Sequence, residues 1–266
     1  MITNQEIDHG KAFDFGRTSE DYAKYRDIYP DAFYEKIIEK GLCIEGQKVL
    51  DLGTGTGVLP RNMYKYGADF IGTDISENQI NEARRLSKEA EMKIKYIVTS
   101  AEEMDFSDEI FDVITAVQCF WYFDKAIVLP KIHKMLKENG YLCILSMAWL
   151  PDESEVAYKS ENLVLKYNPA WTGAGYKRHS LEAPDWVDNY FICDIAETFD
   201  LHIPFTRESW HGRMKACRGI GASSLPDEEI AAWEREHLEY MSTLPETFEI
   251  VHFATMLGLR KRKGEF

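Results

Sequence analysis

An α/β fold, built on a parallel sheet with helices on both faces, is what this sequence predicts, and three observations predict it. Between Lys48 and Met147 short apolar runs alternate with amphipathic stretches, the order that parallel strands joined by crossover helices require. The first run ends in VLDLGTGTG, Val49 to Gly57, where a buried strand breaks into a tight turn and opens a helix. Later runs end in an acid at Asp74 and in the aromatic segment QCFWYFD, 118–124. Open α/β sheets bind ligands at the carboxyl ends of their strands, so all three features fall on one side of the sheet.

The elements follow in order. The first ten residues are polar and read as a fraying end. Thr18 and Ser19 are helix N-cap candidates, with Glu20 and Asp21 in the first turn. Tyr22, Tyr25 and Tyr29 share one helical face, which serves either core packing or a lid. Pro30 ends that helix or starts the next, which runs to Gly41. KVLDL is the first strand; Gly57 to Tyr66 is helical and stops at Gly67. ADFIGTD is the second strand, finishing at Asp74, and Ser76 caps a helix running to about Ala90. KIKYIVT and IFDVITAV are the third and fourth strands. Lys125 to Leu136 is helical, and Asn139-Gly140 turns the chain into the fifth strand, YLCILSM. After Met147 the rhythm breaks. Residues 150–200 read as aromatic-rich helical pieces and a loop, HIPFTRESW at 202–210 as a strand, SSLPDEE as a helix start, and FEIVHFATMLGLRK as the last strand.

With 266 residues, 45% of them hydrophobic, the chain suffices for one large domain or a domain plus a cap. A formal net charge of −14 argues against nucleic acid as a partner, because phosphate binding needs a concentrated positive field. The basic run Arg260 to Lys263 reads as a solvated tail. Cys43, Cys119, Cys143, Cys193 and Cys217 are scattered, odd in number and without CxxC, which argues against disulfides and a metal site and fits a reducing cytoplasm. Cys143, inside YLCIL, is a core residue. No apolar stretch approaches bilayer length and no signal-peptide pattern opens the chain, so the expectation is a soluble cytoplasmic protein with no membrane partner.

Asp74 follows Gly53 by 21 residues, a placement from which a carboxylate accepts hydrogen bonds from the vicinal hydroxyls of a ribose. Its alternative, capping the next helix, is better filled by Ser76. SAEEM, 100–104, then sets Ala101 and Glu102 beside the position of an adenine edge. The glycines are spaced GxGxG, with Val58 where a dinucleotide fold has its third glycine. That spacing favours a single nucleoside. Three readings stay open: an enzyme using a nucleoside cofactor, an NAD(P)-dependent oxidoreductase, and a non-catalytic cofactor-binding or interaction domain.

The chain resembles the class I S-adenosylmethionine-dependent methyltransferases, in the broad group with the type 11 motif set, over about residues 11–150. The matching segments are VLDLGTGTG at 49–57, GTDIS at 72–76, SAEEMDF at 100–106, FDVITAVQCFWYFD at 111–124 and MLKENGYLCIL at 135–145. QCFWYFD is similar to the aromatic loop of small-molecule methyltransferases such as the trans-aconitate methyltransferases. The resemblance implies a Rossmann-like three-layer sandwich with a seven-stranded, mostly parallel sheet, its last strand antiparallel between its neighbours. It also implies helical caps at the N-terminus and after the fifth strand. The segments would be 1–45, an N-terminal helical lid; 46–148, the S-adenosylmethionine-binding core; 149–201, a helical insertion or cap; and 202–266, the rest of the sheet with substrate-side helices.

Carried over by position, Gly53, Thr54, Gly55 and Gly57 would approach the cofactor's methionine and ribose, and Asp51 its amine. Asp74 would hold the ribose, Ile75 would pack on adenine with Gln79 near by, and Ala101 and Glu102 would border the ring. Val117 and Gln118 would line the methionine side, while Tyr25 and Arg26 are further cofactor-side candidates. Where many relatives have Asp, this chain has Ser100. S-adenosylmethionine would leave as S-adenosylhomocysteine, and the acceptor would be a small molecule.

Methyl transfer from a sulfonium is an in-line displacement whose reactive group belongs to the cofactor. Alignment can supply roughly 7–11 kcal/mol, and an aromatic face near the sulfonium roughly 0.5–2 kcal/mol. Trp121 and Tyr22 are the catalytic candidates for that role. Tyr122, Trp149 and Trp210 are candidate acceptor contacts. In RESWHGRMKACRGIG, 207–221, Arg213 and Arg218 are candidates to clamp an anionic acceptor and His211 to act as a base. Surface or interdomain ion pairs are the competing reading of these residues.

Overall fold

Val49, Leu50 and Leu52 are buried without residue, as befits a strand covered on both faces. The computed structural model, which describes residues 3–264, places them in the middle of a sheet. Its elements are α1 (Ser19–Tyr25), α2 (Asp31–Glu39), β1 (Lys48–Leu52), α3 (Val58–Met63), β2 (Asp69–Asp74), α4 (Glu77–Glu89), β3 (Lys95–Val98) and β4 (Phe111–Val117). They continue with α5 (Lys125–Met135), β5 (Leu136–Trp149), α6 (Glu155–Tyr167), α7 (Val187–Tyr190), β6 (Phe191–Thr206), α8 (Arg207–Lys215), α9 (Asp227–Ser242) and β7 (Thr247–Lys261).

The strands form one seven-stranded sheet in the order β3-β2-β1-β4-β5-β7-β6. β1 pairs in parallel with β2 and β4, β2 with β3, and β4 with β5. The last strand is antiparallel and lies between β5 and β6. Its register shows this directly, since Ser146 on β5 meets Thr255 on β7 while Leu150, just past the end of β5, meets Val251, further back on β7. This is a Rossmann-like fold with helices around a mostly parallel sheet.

Helix limits follow their chemistry. The Ser76 hydroxyl accepts from Gln79 N and starts α4, and Asp124 accepts from Ala126 N at the start of α5. Gly67, with φ +84°, closes the turn after α3.

Several expectations are corrected. Tyr29 lies outside α1, which ends at Tyr25, and Thr18 makes no capping bond; its hydroxyl donates to Phe15 O instead. The strand expected at 202–210 starts at Phe191, and Arg207 to Trp210 open α8 through a reciprocal Thr206–Ser209 cap. Helix α9 starts behind Pro226 with no side-chain cap from the serines. The basic run at 260–263 is not a solvated tail. Arg260 pairs with Asp194, Lys261 with Glu109, Arg262 with Asp188 and Lys263 with Glu138. Nor does the whole N-terminal stretch fray, because Asp8 is buried against Arg218 and Thr172; Met1 and Ile2 lie outside the described residues.

The chain divides into two compact units. A sheet unit comprises Pro30–Met147, Ser180–Phe199 and the described residues from Ala254 onward. Its core joins Leu50, Leu52, Ile114 and Ala116 of the central strands to Val128, Leu129 and Ile132 of α5. A helical unit comprises the described residues up to Tyr29, Ala148–His179 and Asp200–Phe253. Trp210 and Trp233 are its largest fully buried side chains. There α1 meets α8 so closely that a Cβ on Gly212 would lie 2.3 Å from the Tyr25 ring. Cys143 is buried and all five cysteines are free. No helix among the described residues is long and apolar enough to cross a membrane, and they contain no metal-ligating cluster.

Candidate functional site

In the sheet unit the carboxyl ends of β1, β2, β3 and β4 stand side by side, with Leu52 in register with Thr73 and Ala116, and Asp74 with Val98. The chain leaves β1 through Gly53, Gly55 and Gly57, whose φ values of +60°, +56° and +74° are left-handed. The turn is pinned by Thr54 N donating to Thr73 O at 2.8 Å and Gly57 N to Thr54 O at 2.9 Å. Two of these glycines owe their lack of a side chain to the protein itself. A Cβ on Gly53 would lie 2.8 Å from the Cys119 sulfur, and one on Gly57 2.4 Å from the Tyr96 hydroxyl oxygen. The Cβ positions of those two residues are therefore filled from within.

Asp74 is the polar centre of this edge. One carboxylate oxygen accepts from Gly55 N at 2.9 Å and the other from Ser76 N at 2.8 Å. Burial raises its pKa, and the two amide donors oppose that rise. Asp51, beneath the turn, accepts from the Thr115 hydroxyl at 2.6 Å; burial pushes its carboxyl up to about 6 against that bond. Ile75 follows Asp74 with 59% of its surface exposed. Gln79 is buried in the first turn of α4, and Thr54 is buried within the glycine turn.

On the next loops, Ala101 is buried, and the Glu102 carboxylate accepts from Asp124 N at 2.9 Å, tying the loop after β3 to the start of α5. Ser100 caps its own turn by accepting from Glu103 N at 3.1 Å. Val117 ends β4. Gln118 adopts φ +62°, held by its backbone N–H on Leu145 O at 2.9 Å and by its side-chain amide on Met147 O. A non-glycine residue in this region is strained and marks a built loop. Trp121, in a short 3-10 turn at Phe120–Tyr122, is 40% exposed beside Tyr122, while Phe120 anchors the turn against Phe123 and Trp186.

Sequence reasoning missed Val98, 42% exposed opposite Asp74, and the roles of Cys119 and Tyr96 behind the glycines. Val98 was visible as an apolar residue at a strand's carboxyl end. The other two carried no local signal, because each acts on a residue distant in sequence.

The remaining candidates belong to the helical unit. Tyr22 lies under the Arg26 guanidinium, 4.6 Å from its ring centroid. Tyr25 donates to Glu208 at 2.9 Å. Trp149 donates to Glu161 at 2.6 Å and meets Trp210 edge-on at 5.4 Å. Trp210 is fully buried and donates to the Ser160 hydroxyl at 2.9 Å, so it is a core residue and not an acceptor contact. His211 turns towards α9, sharing a 2.8 Å hydrogen bond with His237 and stacking on Trp233 at 5.4 Å. Burial lowers its pKa, favouring the neutral imidazole. Arg218 is committed to Asp8 at 2.6 Å and therefore reads as an ion pair, not a clamp. Arg213 differs. It is 5% exposed, its guanidinium lies 4.8 Å from the Trp149 ring centroid, and its Nε and Nη1 have no hydrogen-bond partner among the described residues.

Residues 50–144 match the family described as methyltransferase domain. The ubiquinone biosynthesis O-methyltransferase of Bradyrhizobium diazoefficiens is 27% identical over 160 residues, which are 60% of this chain and 62% of that protein. The protein of the same name from Aliivibrio fischeri is 32% identical over 108 residues, 40% of this chain and 46% of that one. The chain thus spans less than two thirds of the length of the curated relatives it matches. The solved structure of the YcgJ protein from Bacillus subtilis superposes with a TM-score of 0.53 at 19% identity, covering 86% of this chain and 98% of that one. At that identity the likeness speaks for the fold.

Proposed function

We propose that this chain, whose residues 50–144 form a class I S-adenosylmethionine-dependent methyltransferase domain, transfers a methyl group from that cofactor to a small-molecule acceptor. Asp74 carries the reading. A carboxylate offers about four acceptor positions, and two backbone amides use one on each oxygen. Each oxygen keeps a position for one of two vicinal hydroxyls. Next to it stands Ile75, an apolar side chain held out in water, where an adenine face would cover it.

When bound, S-adenosylmethionine supplies a methyl group activated on a sulfonium. The chain's own part would be placement. Asp74 would hold the ribose, with Ile75 and Val98 flanking the base and the Gly53–Gly57 backbone lying along the amino-acid portion. Asp51 would balance the cofactor's ammonium. The Trp121 ring would offer its π face to the sulfonium at roughly 0.5–2 kcal/mol, on a loop stiffened by the Gln118 backbone and side-chain bonds. Ala101, Glu102, Gln79 and Val117 would border these groups.

Titration calorimetry tests the cofactor half of the reading: S-adenosylhomocysteine binds and NADH does not, and Asp74→Ala weakens the former at least tenfold. Tight NADH binding, or an Asp74→Ala variant of unchanged affinity, defeats it. Turnover is tested by incubating the protein with methyl-labelled cofactor and a metabolite extract, then following label into small molecules by mass spectrometry.

A further inference from the structure

Arg213 is a cation taken out of water without a counter-charge. Its side chain projects from the last turn of α8 and is 5% exposed, and among the described residues no carboxylate pairs with it. Nε and Nη1 are buried and unpartnered. The Trp149 ring beneath it supplies only a cation–π contact, weaker than a charge-assisted hydrogen bond. A second cation, Arg26, is close enough to repel it, and Arg26 likewise has no ion-pair partner among the described residues, only Tyr22. Tyr22, Tyr29, Cys217 and His252 are also near, and none of them is a carboxylate. Burial, then the charge of Arg26, lowers the Arg213 pKa to about 9, so the group remains a cation at pH 7.

A buried, unpaired charge costs several kcal/mol and persists where something else supplies its partner. Three other arginines of the helical unit are paired at home, Arg218 by Asp8, Arg178 by Glu153 and Arg17 by Asp227. The arginine pair therefore differs from them in chemistry as well as in place.

We infer that Arg213 and Arg26 form a carboxylate-binding site in the helical unit, for a small organic acid with an apolar or aromatic body. The trp- and tyrosine-lined surroundings fit that body, and the two guanidinium groups fit the carboxylate. The binding site stands on the Arg213 geometry alone. The amino-acid end of the cofactor is the other source of a carboxylate, and the experiment separates the two.

The test is thermal unfolding of the full chain at pH 7 in acetate, succinate or benzoate, each against chloride of equal ionic strength. At least one acid is expected to raise the wild-type midpoint by about 4 °C or more. Arg213→Met should melt higher than wild type in chloride, because an unpaired buried cation is gone, and should lose the acid response. Arg26→Gln should reduce that response. Repeating the series in saturating S-adenosylhomocysteine keeps the acid shift if the site serves an acid other than the cofactor. If S-adenosylhomocysteine abolishes the shift while methylthioadenosine, which lacks the carboxylate, leaves it intact, the site belongs to the cofactor and the inference falls. It falls also if no acid shifts the wild type, or if both variants respond as wild type does. Failure of S-adenosylhomocysteine to bind at all would defeat the methyltransferase reading while leaving an Arg213-dependent acid shift standing.

Discussion

The sulfur of Cys119 stands where a side chain on Gly53 would have to go, 2.8 Å from the position of a Cβ, and it donates to Leu52 O at 3.1 Å. The loop after β4 is thereby keyed into the turn after β1. Gly53→Ala should destabilise the protein by about 2–4 kcal/mol, joining left-handed strain to overpacking. Adding Cys119→Ala should restore only the packing share. Urea unfolding of the single and double variants measures both parts; full restoration by Cys119→Ala would mean that backbone strain at Gly53 is negligible.

Exposed apolar residues at the strand ends should separate binding from stability. Ile75→Ala removes a side chain that mostly faces water in the unbound chain and should change unfolding free energy by less than about 1 kcal/mol, while Trp121→Ala, which also loses packing on Tyr122, should cost about 1–2 kcal/mol. Each should still weaken S-adenosylhomocysteine by severalfold, since the area those side chains cover on binding is lost. Calorimetry beside denaturation decides it, and equal affinity in both variants would remove them from the site.

Arg218 and Arg213 should respond in opposite directions. Asp8→Ala leaves the mostly buried Arg218 without its carboxylate and is expected to cost about 3 kcal/mol or more. Removing the Arg213 charge should not destabilise the chain. Thermal melts of the two variants under one buffer settle this contrast, and a destabilised Arg213→Met would show that its cation is satisfied in the folded protein.

How far the sequence could be read follows from where each signal resides. β1, β2 and β4 were legible because interior parallel strands are continuous apolar runs, and α4 because Ser76 marks its start next to an amphipathic pattern. β6 was not. FICDIAETFD alternates half-buried and exposed positions at a sheet edge, and its acids disguise the strand. The start of α8 carried a readable Thr206-x-x-Ser209 cap that the apolar run before it obscured. At the site, Asp74 and Ile75 were legible because position along a strand fixes them. Arg213 and Arg218 look alike in sequence. Only folding brings Asp8, 210 residues away, to one and leaves the other without an acid.

Buried ionisable groups set opposing slopes on stability against pH. Asp51 has its pKa raised to about 6 by burial, so the folded chain holds that proton more tightly than the unfolded one. Its contribution is fully present below about pH 4 and is lost as pH rises through 6, a difference of about 3 kcal/mol. His237 and His252 are held neutral by burial, with pKa values lowered to about 3 and about 4. Their contribution is present above the ordinary histidine value of 6.5 and is lost as pH falls below it, and together they outweigh Asp51. Stability should therefore decline from pH 6.5 towards 4. Asp51→Asn should exceed wild type most at pH 7.5 and converge with it near pH 4, while His237→Gln should flatten the acid limb. Urea titrations at one-unit intervals read these slopes, and an acid limb unchanged in His237→Gln would show that another group drives it.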